Sequence, residues 1–206
     1  MPYAPVVVKV WGDFACFTRP ENKVERVSYE VMTPSAARGV LEAIFFHKPM
    51  QWRIREIAVL NGIKRFSMLR NEVSARMSDR SDGLTITDVR TQRHTLGLRD
   101  VAYLISADVY LPTGSTDADP AKYRDQFRRR VERGQCFHRP SLGCREFAAH
   151  FGPPDGDEQP QPVSDDLGLM LFDIDYGARN VPRFFHAKLE NGVLKVPNAF
   201  YEGVPQ

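Results

Sequence analysis

"TPSAARGVLEAIFFHKPMQWRIREIAVL", residues 33–60, changes its hydrophobic period part-way along, and that change decides the fold. The first half is helical in pattern. Thr33 is a good N-cap, Pro34 suits the first helical position, and Ala37, Val40, Leu41, Ile44 and Phe45 recur at helical spacing. Pro49 disfavours helical geometry at Lys48, so the helix is expected to end near there, on His47 and Lys48. Residues 50–60 then read as a strand.

The same grammar extends in both directions. "VVVKVWG" (6–12) reads as a strand preceding the helix, separated from it by a loop of mixed aromatic and basic residues. "VAYLISADVYL" (101–111) is another strand, with Val101, Tyr103, Ile105, Ala107 and Val109 on one face. Between residues 61 and 100 lies an arginine-rich excursion, expected to be an inserted hairpin or finger because an unstructured loop of that length is unusual. Asp119 and Pro120 open a second helix, with Tyr123, Phe127 and Val131 as its apolar stripe and Gly134 as its terminator. "CREFAAHF" (144–151) is expected to form a further strand.

The order strand, helix, strand, excursion, strand, helix, strand predicts an α+β, ferredoxin-like (RRM-like) domain over 1–151, an antiparallel sheet with two helices on one face. RNA-recognition domains use this topology. Residues 152–166 read as a Pro, Gly and acidic linker, leading to a small β-rich C-terminal subdomain over 152–206. In that subdomain Asn191-Gly192 marks a type I′ hairpin turn.

A chain of 206 residues is long enough for a real core, and no apolar run approaches membrane-spanning length. No basic segment followed by an apolar one opens the chain, and the three cysteines are an odd number, so a cytoplasmic protein with free thiols is expected. Net charge is only +2, but Lys122, Arg124, Arg128, Arg129, Arg130, Arg133 and Arg139 cluster in one segment, while all charges from 153 to 175 are acidic. The basic segment suggests a polyanion partner, or is a solvated helix face. Cys136, His138, Cys144 and His150 lack a usual zinc spacing, and buried thiols are the expected reading there. No nucleotide-binding fingerprint is visible, and no cofactor or metal is expected.

"VWGDFACFTRP", "KVERVSYEVMTPSAARGVLEAI", "KYRDQFRRRVERGQCFHRPSLGCREF" and "MLFDIDY" together resemble the subtype I-C CRISPR-associated endoribonuclease family, the catalytic Cas-five branch, over nearly the whole chain. The resemblance implies metal-free cleavage of precursor CRISPR RNA at the base of the repeat hairpin. It also implies retention on the 5′ handle in an interference complex with a backbone and a large subunit, and possible non-specific DNA binding. The family places a tyrosine at the end of the first helix and a lysine followed by a histidine at the start of the second. Here those positions fall on Phe45 or Phe46, on Lys122 and on Tyr123.

Metal-free RNA cleavage needs a base for the ribose 2′-hydroxyl, an acid for the departing 5′-oxygen and a cation for the phosphoryl oxygens. His47 is the candidate base and Lys122 the candidate cation, with Tyr123 as a third candidate. Otherwise His47 is a polar helix end and Tyr123 is core. Lys23, Arg26, Arg38, Lys48, Arg53, Arg128, Arg129 and Arg133 are candidate RNA contacts, or ordinary surface charges. With two catalytic types exchanged, a non-catalytic subunit capping the 5′ handle is the alternative function.

Overall fold

The computed structural model describes residues 4–22, 24–77, 83, 85–112, 119–175 and 180–202. Its spine is one long strand, β5 (Arg90–Tyr110), numbered after β1 (Val6–Ala15), β2 (Arg26–Val27), β3 (Gln51–Val59) and β4 (Lys64–Val73). The second half of β5 pairs antiparallel with β1 on one side and β3 on the other. Its first half pairs with β4, from Lys64 opposite Arg99 to Val73 opposite Arg90, and β2 lies parallel beside Thr95 and Leu96. The expected strand over 101–111 therefore runs on from residues 90–100, the last part of the excursion, and β4 in the first part of the excursion pairs back on it. The β-branched Thr91 and Thr95 and the apolar Leu96 and Leu98 extend the strand, and each new ladder satisfies backbone groups that the core pairing leaves open.

Helix α1 (Pro34–Ile44) begins as its sequence dictates: Thr33 is extended, and its hydroxyl accepts from the Ala36 N–H at 3.2 Å. Ala37, Val40, Leu41 and Ile44 are buried on one stripe. A single turn, α2 (Ile86–Val89), precedes β5. Helix α3 (Pro120–Glu132) is capped by the Asp119 carboxylate, which accepts from the Ala121 N–H at 2.9 Å. It buries Tyr123, Phe127 and Val131. It closes in a Schellman motif, with Gly134 N–H to Val131 C=O at 3.1 Å and Gln135 N–H to Arg130 C=O at 2.8 Å.

The strand expected over 144–151 is a correction. Only His150–Gly152 (β6) pairs with β1. Residues 140–149 instead fold as a loop, because Leu142 is fully buried and turns back through its N–H to the Phe147 carbonyl at 2.7 Å.

Residues 153–164 lie along the sheet. Lys9 pairs with Asp155 and, at 3.4 Å, with Glu158, while Gln161 N–H reaches the Val59 carbonyl at 2.8 Å. Strands β7 (Asp165–Asp175), β8 (Val181–Glu190) and β9 (Val193–Lys195) follow, with the 190–193 turn carrying φ of 48° at Asn191 and 76° at Gly192. β9 pairs with β3, Ile57 opposite Leu194, so the described strands form one sheet ordered β6-β1-β5-β3-β9-β8-β7, with β2 and β4 on the flanks of β5. All pairings except β2 with β5 are antiparallel. Met170, Phe172, Phe185 and Leu194 belong to the same buried cluster as Val8 and Val10 of β1. Among the described residues no helix is long and apolar enough to cross a membrane.

Candidate functional site

The end of α1 and the start of α3 meet. Phe45 leaves the helix in an extended conformation and turns its ring into the core, while Phe46, His47 and Lys48 face solvent. The exit is fixed from several sides. Trp52 Nε1 donates to the Phe45 carbonyl at 3.2 Å, and Met50 N–H to the His47 carbonyl at 3.0 Å. Arg130 Nε donates to the Ile44 carbonyl at 2.9 Å, and the Phe137 and His138 N–H groups both reach the Ala43 carbonyl. These donors satisfy last-turn carbonyls that a helix leaves open, and the guanidinium complements the helix dipole. Sequence reasoning missed this anchoring role of Arg130, because the pairing is between elements far apart in the chain.

Held this way, the His47 ring lies 5.1 Å from the Tyr123 ring, centre to centre, and the Lys122 Nζ lies 5.8 Å from the same ring. Tyr123 is only 1% exposed, whereas His47 and Lys122 are open to solvent. The structure thus brings together the three residues singled out for catalysis and distinguishes them. An imidazole and an ammonium reach solvent around a buried phenol ring. Chemically, an exposed imidazole can accept a proton and an exposed ammonium can offset phosphoryl charge.

The basic residues singled out for RNA are more scattered. Lys48 is exposed beside His47, and Arg128, Arg129 and Arg133 are exposed on α3, Arg128 with Asp125 at 4.0 Å. Arg38 is committed to Asp173 of β7 and, at 3.5 Å, to Glu42. Arg53 stacks on Tyr110, 3.4 Å from the ring centre. Arg26 sits in a separate polar cluster, 2.7 Å from Glu146 and 3.8 Å from Glu72. Lys23 lies outside the described residues.

Arg26 also donates to the Cys144 sulfur at 3.4 Å. A hydrogen bond from the Cys16 thiol, with further help from Thr18 and Arg26, holds the Cys144 thiol below its ordinary value and pushes Cys16 up. Among the described residues no group of three or more His, Cys, Asp or Glu side chains is placed to hold a metal ion.

Comparison with known families decides which chemistry this frame carries. The Cas_Cas5d family model, described as CRISPR-associated protein (Cas_Cas5), matches residues 6–197. The chain belongs to the Cas5d family. It is 46% identical to the CRISPR pre-crRNA endoribonuclease Cas5d of Thermus thermophilus, over 97% of this chain and 94% of that one. It is 45% identical to the protein of the same name from Mannheimia succiniciproducens, over 95% of this chain and 96% of that one.

The Cas5d fold is visible in solved structures as well. A structure described as a CRISPR-associated protein superposes with a TM-score of 0.71 at 23% identity, over 96% of this chain and 94% of the other. The functionally uncharacterized protein SMU1763c of Streptococcus mutans gives 0.69 at 21% identity, over 96% and 95%. Both share the mostly antiparallel sheet with few helices. Within this Cas5d chain, the aromatic that follows Ile44 is the buried Phe45, and the partner that follows Lys122 is the buried Tyr123.

Proposed function

We propose that this chain is an endoribonuclease that cuts precursor CRISPR RNA at the base of the repeat hairpin without metal and then stays on the 5′ handle. The observation that carries the reading is the meeting of His47 and Lys122 around the Tyr123 ring. The names of the two relatives, each about 45% identical across nearly the full chain, point the same way. His47 takes the proton from the 2′-hydroxyl, whose oxygen attacks the adjacent phosphorus. Lys122 offsets charge growing on the phosphoryl oxygens, the departing 5′-oxygen takes a proton from solvent water, and the His47 imidazolium returns its own to solvent. The products carry a 2′,3′-cyclic phosphate and a 5′-hydroxyl. Tyr123 acts by positioning: its ring is the surface on which the imidazole rests.

In this reading α1 and α3, with β1, β3, β5 and β6, form a ferredoxin-like unit over 1–151. The β6-β1-β5-β3 order and the alternation of those strands with the helices support it. Residues 152–206 form the C-terminal β-rich part. The protein works in the cytoplasm beside a backbone subunit and a large subunit.

The burial of Phe45 and Tyr123 favours a second reading, a non-catalytic cap of the 5′ handle. Purified protein with its own repeat RNA separates the two. In EDTA, one cut ending in a cyclic phosphate is the expected result. Tight binding without product supports the cap, and a strict need for Mg²⁺ or Mn²⁺ overturns the mechanism.

A further inference from the structure

Helix α1 has a cleft on each side, and their electrostatics differ. On one side a cleft of about 630 Å³ is lined by Arg38, Lys48 and Arg53, and equally by Glu42, Asp173 and Glu202. Its formal charge cancels, and Arg38 is already held by Asp173 and Glu42. On the other side a cleft of about 730 Å³ lies between α1 and the 138–145 loop. His138, Arg139 and Arg145 line it, and no carboxylate does. Both arginines are exposed, and among the described residues neither makes an ion pair.

We infer that this second cleft is the track for a single-stranded ribose-phosphate backbone entering the His47–Lys122 site, with Arg139 and Arg145 as its phosphate contacts. The inference rests on the endoribonuclease reading above and names the substrate path for that site.

Shape supports it beside charge. The α1 wall is Ala36, Gly39 and Ala43, and a methyl group built on Gly39 would meet no atom within 4 Å. Backbone and ribose can approach that wall closely, with Ser35 and Ser141 hydroxyls available to them. The opposite wall is set rigidly. Gly143 has φ +86°, and a side chain there would bring a carbon within 2.1 Å of the Cys16 carbonyl, so only glycine lets the loop seat against β1.

Direction follows from connectivity. The cleft ends at Ala43 and His138, where the Phe137 and His138 N–H groups hold the Ala43 carbonyl, one helical turn before His47. Phe137, 70% exposed at that end, offers a face on which a base can stack. Arg145 was not expected from sequence to meet RNA, and Arg139 only as a member of the basic segment. Arg38 and Arg53 were, and they lie in the charge-balanced cleft.

The test is fluorescence anisotropy of the protein's repeat RNA in EDTA at several salt concentrations, comparing wild type, the double variant R139A/R145A, and G39L. Loss of two phosphate contacts should weaken binding about tenfold or more and make the log–log salt slope shallower by about 1.4, at about 0.7 per contact on a single strand. G39L fills the cleft yet improves helix propensity, so it should weaken binding without lowering the melting temperature. Unchanged affinity in both overturns the inference, as does a larger loss for Arg53→Ala than for the double variant. Wild type that binds but does not cut overturns the catalytic reading and leaves the track standing. Wild type that binds no repeat RNA overturns both.

Discussion

His47 and Tyr123 show how one side chain can supply chemistry and another its placement. The imidazole is exposed and rests against a phenol ring that is buried. Replacing His47 with Ala should lower the single-turnover cleavage rate by roughly 10²–10⁴-fold, the range for a general acid or base. Affinity for repeat RNA should stay near wild type, because a neutral base contributes little to ground-state binding. Tyr123→Phe keeps the ring and should hold the rate within a few-fold, with the pH profile unmoved. A large loss in Tyr123→Phe would make the hydroxyl itself a reacting group, and a wild-type rate in His47→Ala would leave His47 as a polar helix end.

At the scale of elements, the 153–164 segment helps hold the C-terminal strands in place through two contacts. The 190–193 turn packs against the 153–164 segment: Gly192 N–H donates to the Val163 carbonyl at 2.7 Å, and a side chain on Gly192 would come within 2.2 Å of the Gln161 carbonyl. Gly192→Ala therefore meets both a left-handed backbone and a collision. It should cost about 2 kcal/mol from the backbone alone, read as a melting temperature lower by roughly 4–8 °C.

The second contact is Glu158. Its carboxylate accepts from the Asp155 and Gly156 N–H groups and faces Lys9. The Asp155 N–H above all, then the Gly156 N–H and Lys9, hold its pKa down at about 2 from an ordinary 4.5. A depressed carboxylate stabilises the fold fully above 4.5 and loses that contribution as pH falls through about 2. Glu158→Gln should flatten acid unfolding within that window and lower stability at neutral pH. Unfolding curves that stay parallel from pH 5 to 2 would contradict this assignment.

Across the whole molecule, a net charge of +2 hides an uneven spread of paired and unpaired charges. Several carboxylates of the acidic run have partners within the chain: Asp155 and Glu158 meet Lys9, Asp173 meets Arg38, and Asp166 meets His186 at 2.9 Å. Arg129, Arg133, Arg139 and Arg145 have no such partner among the described residues, and Arg128 only a 4.0 Å one. Replacing Arg128, Arg129 and Arg133 together with Ala should make the salt dependence of RNA binding shallower by about 2, at about 0.7 per contact on a single strand. An identical slope would show that the outer face of α3 does not touch RNA.

Residues 33–60 contain both helix boundaries and the strand that follows, and α1 and β3 form there because capping and apolar period act within a few residues of each other. The Asp119 cap, the Gly134 stop and the Asn191-Gly192 turn were legible for the same reason. The identities of His47, Lys122 and Tyr123 as candidates came from the family resemblance and the chemistry of RNA cleavage. The burial of Tyr123 was legible from its place on the apolar stripe of α3, but the meeting of the three depends on how α1 and α3 pack. The same holds for the short β6, the loop in place of a longer strand, and the commitment of Arg26 and Arg38 to carboxylates from other elements. Long-range pairing, not local propensity, sets those outcomes. A side chain's partner across a sheet or cleft is chosen by the chain's return path, and no window of neighbouring residues encodes it.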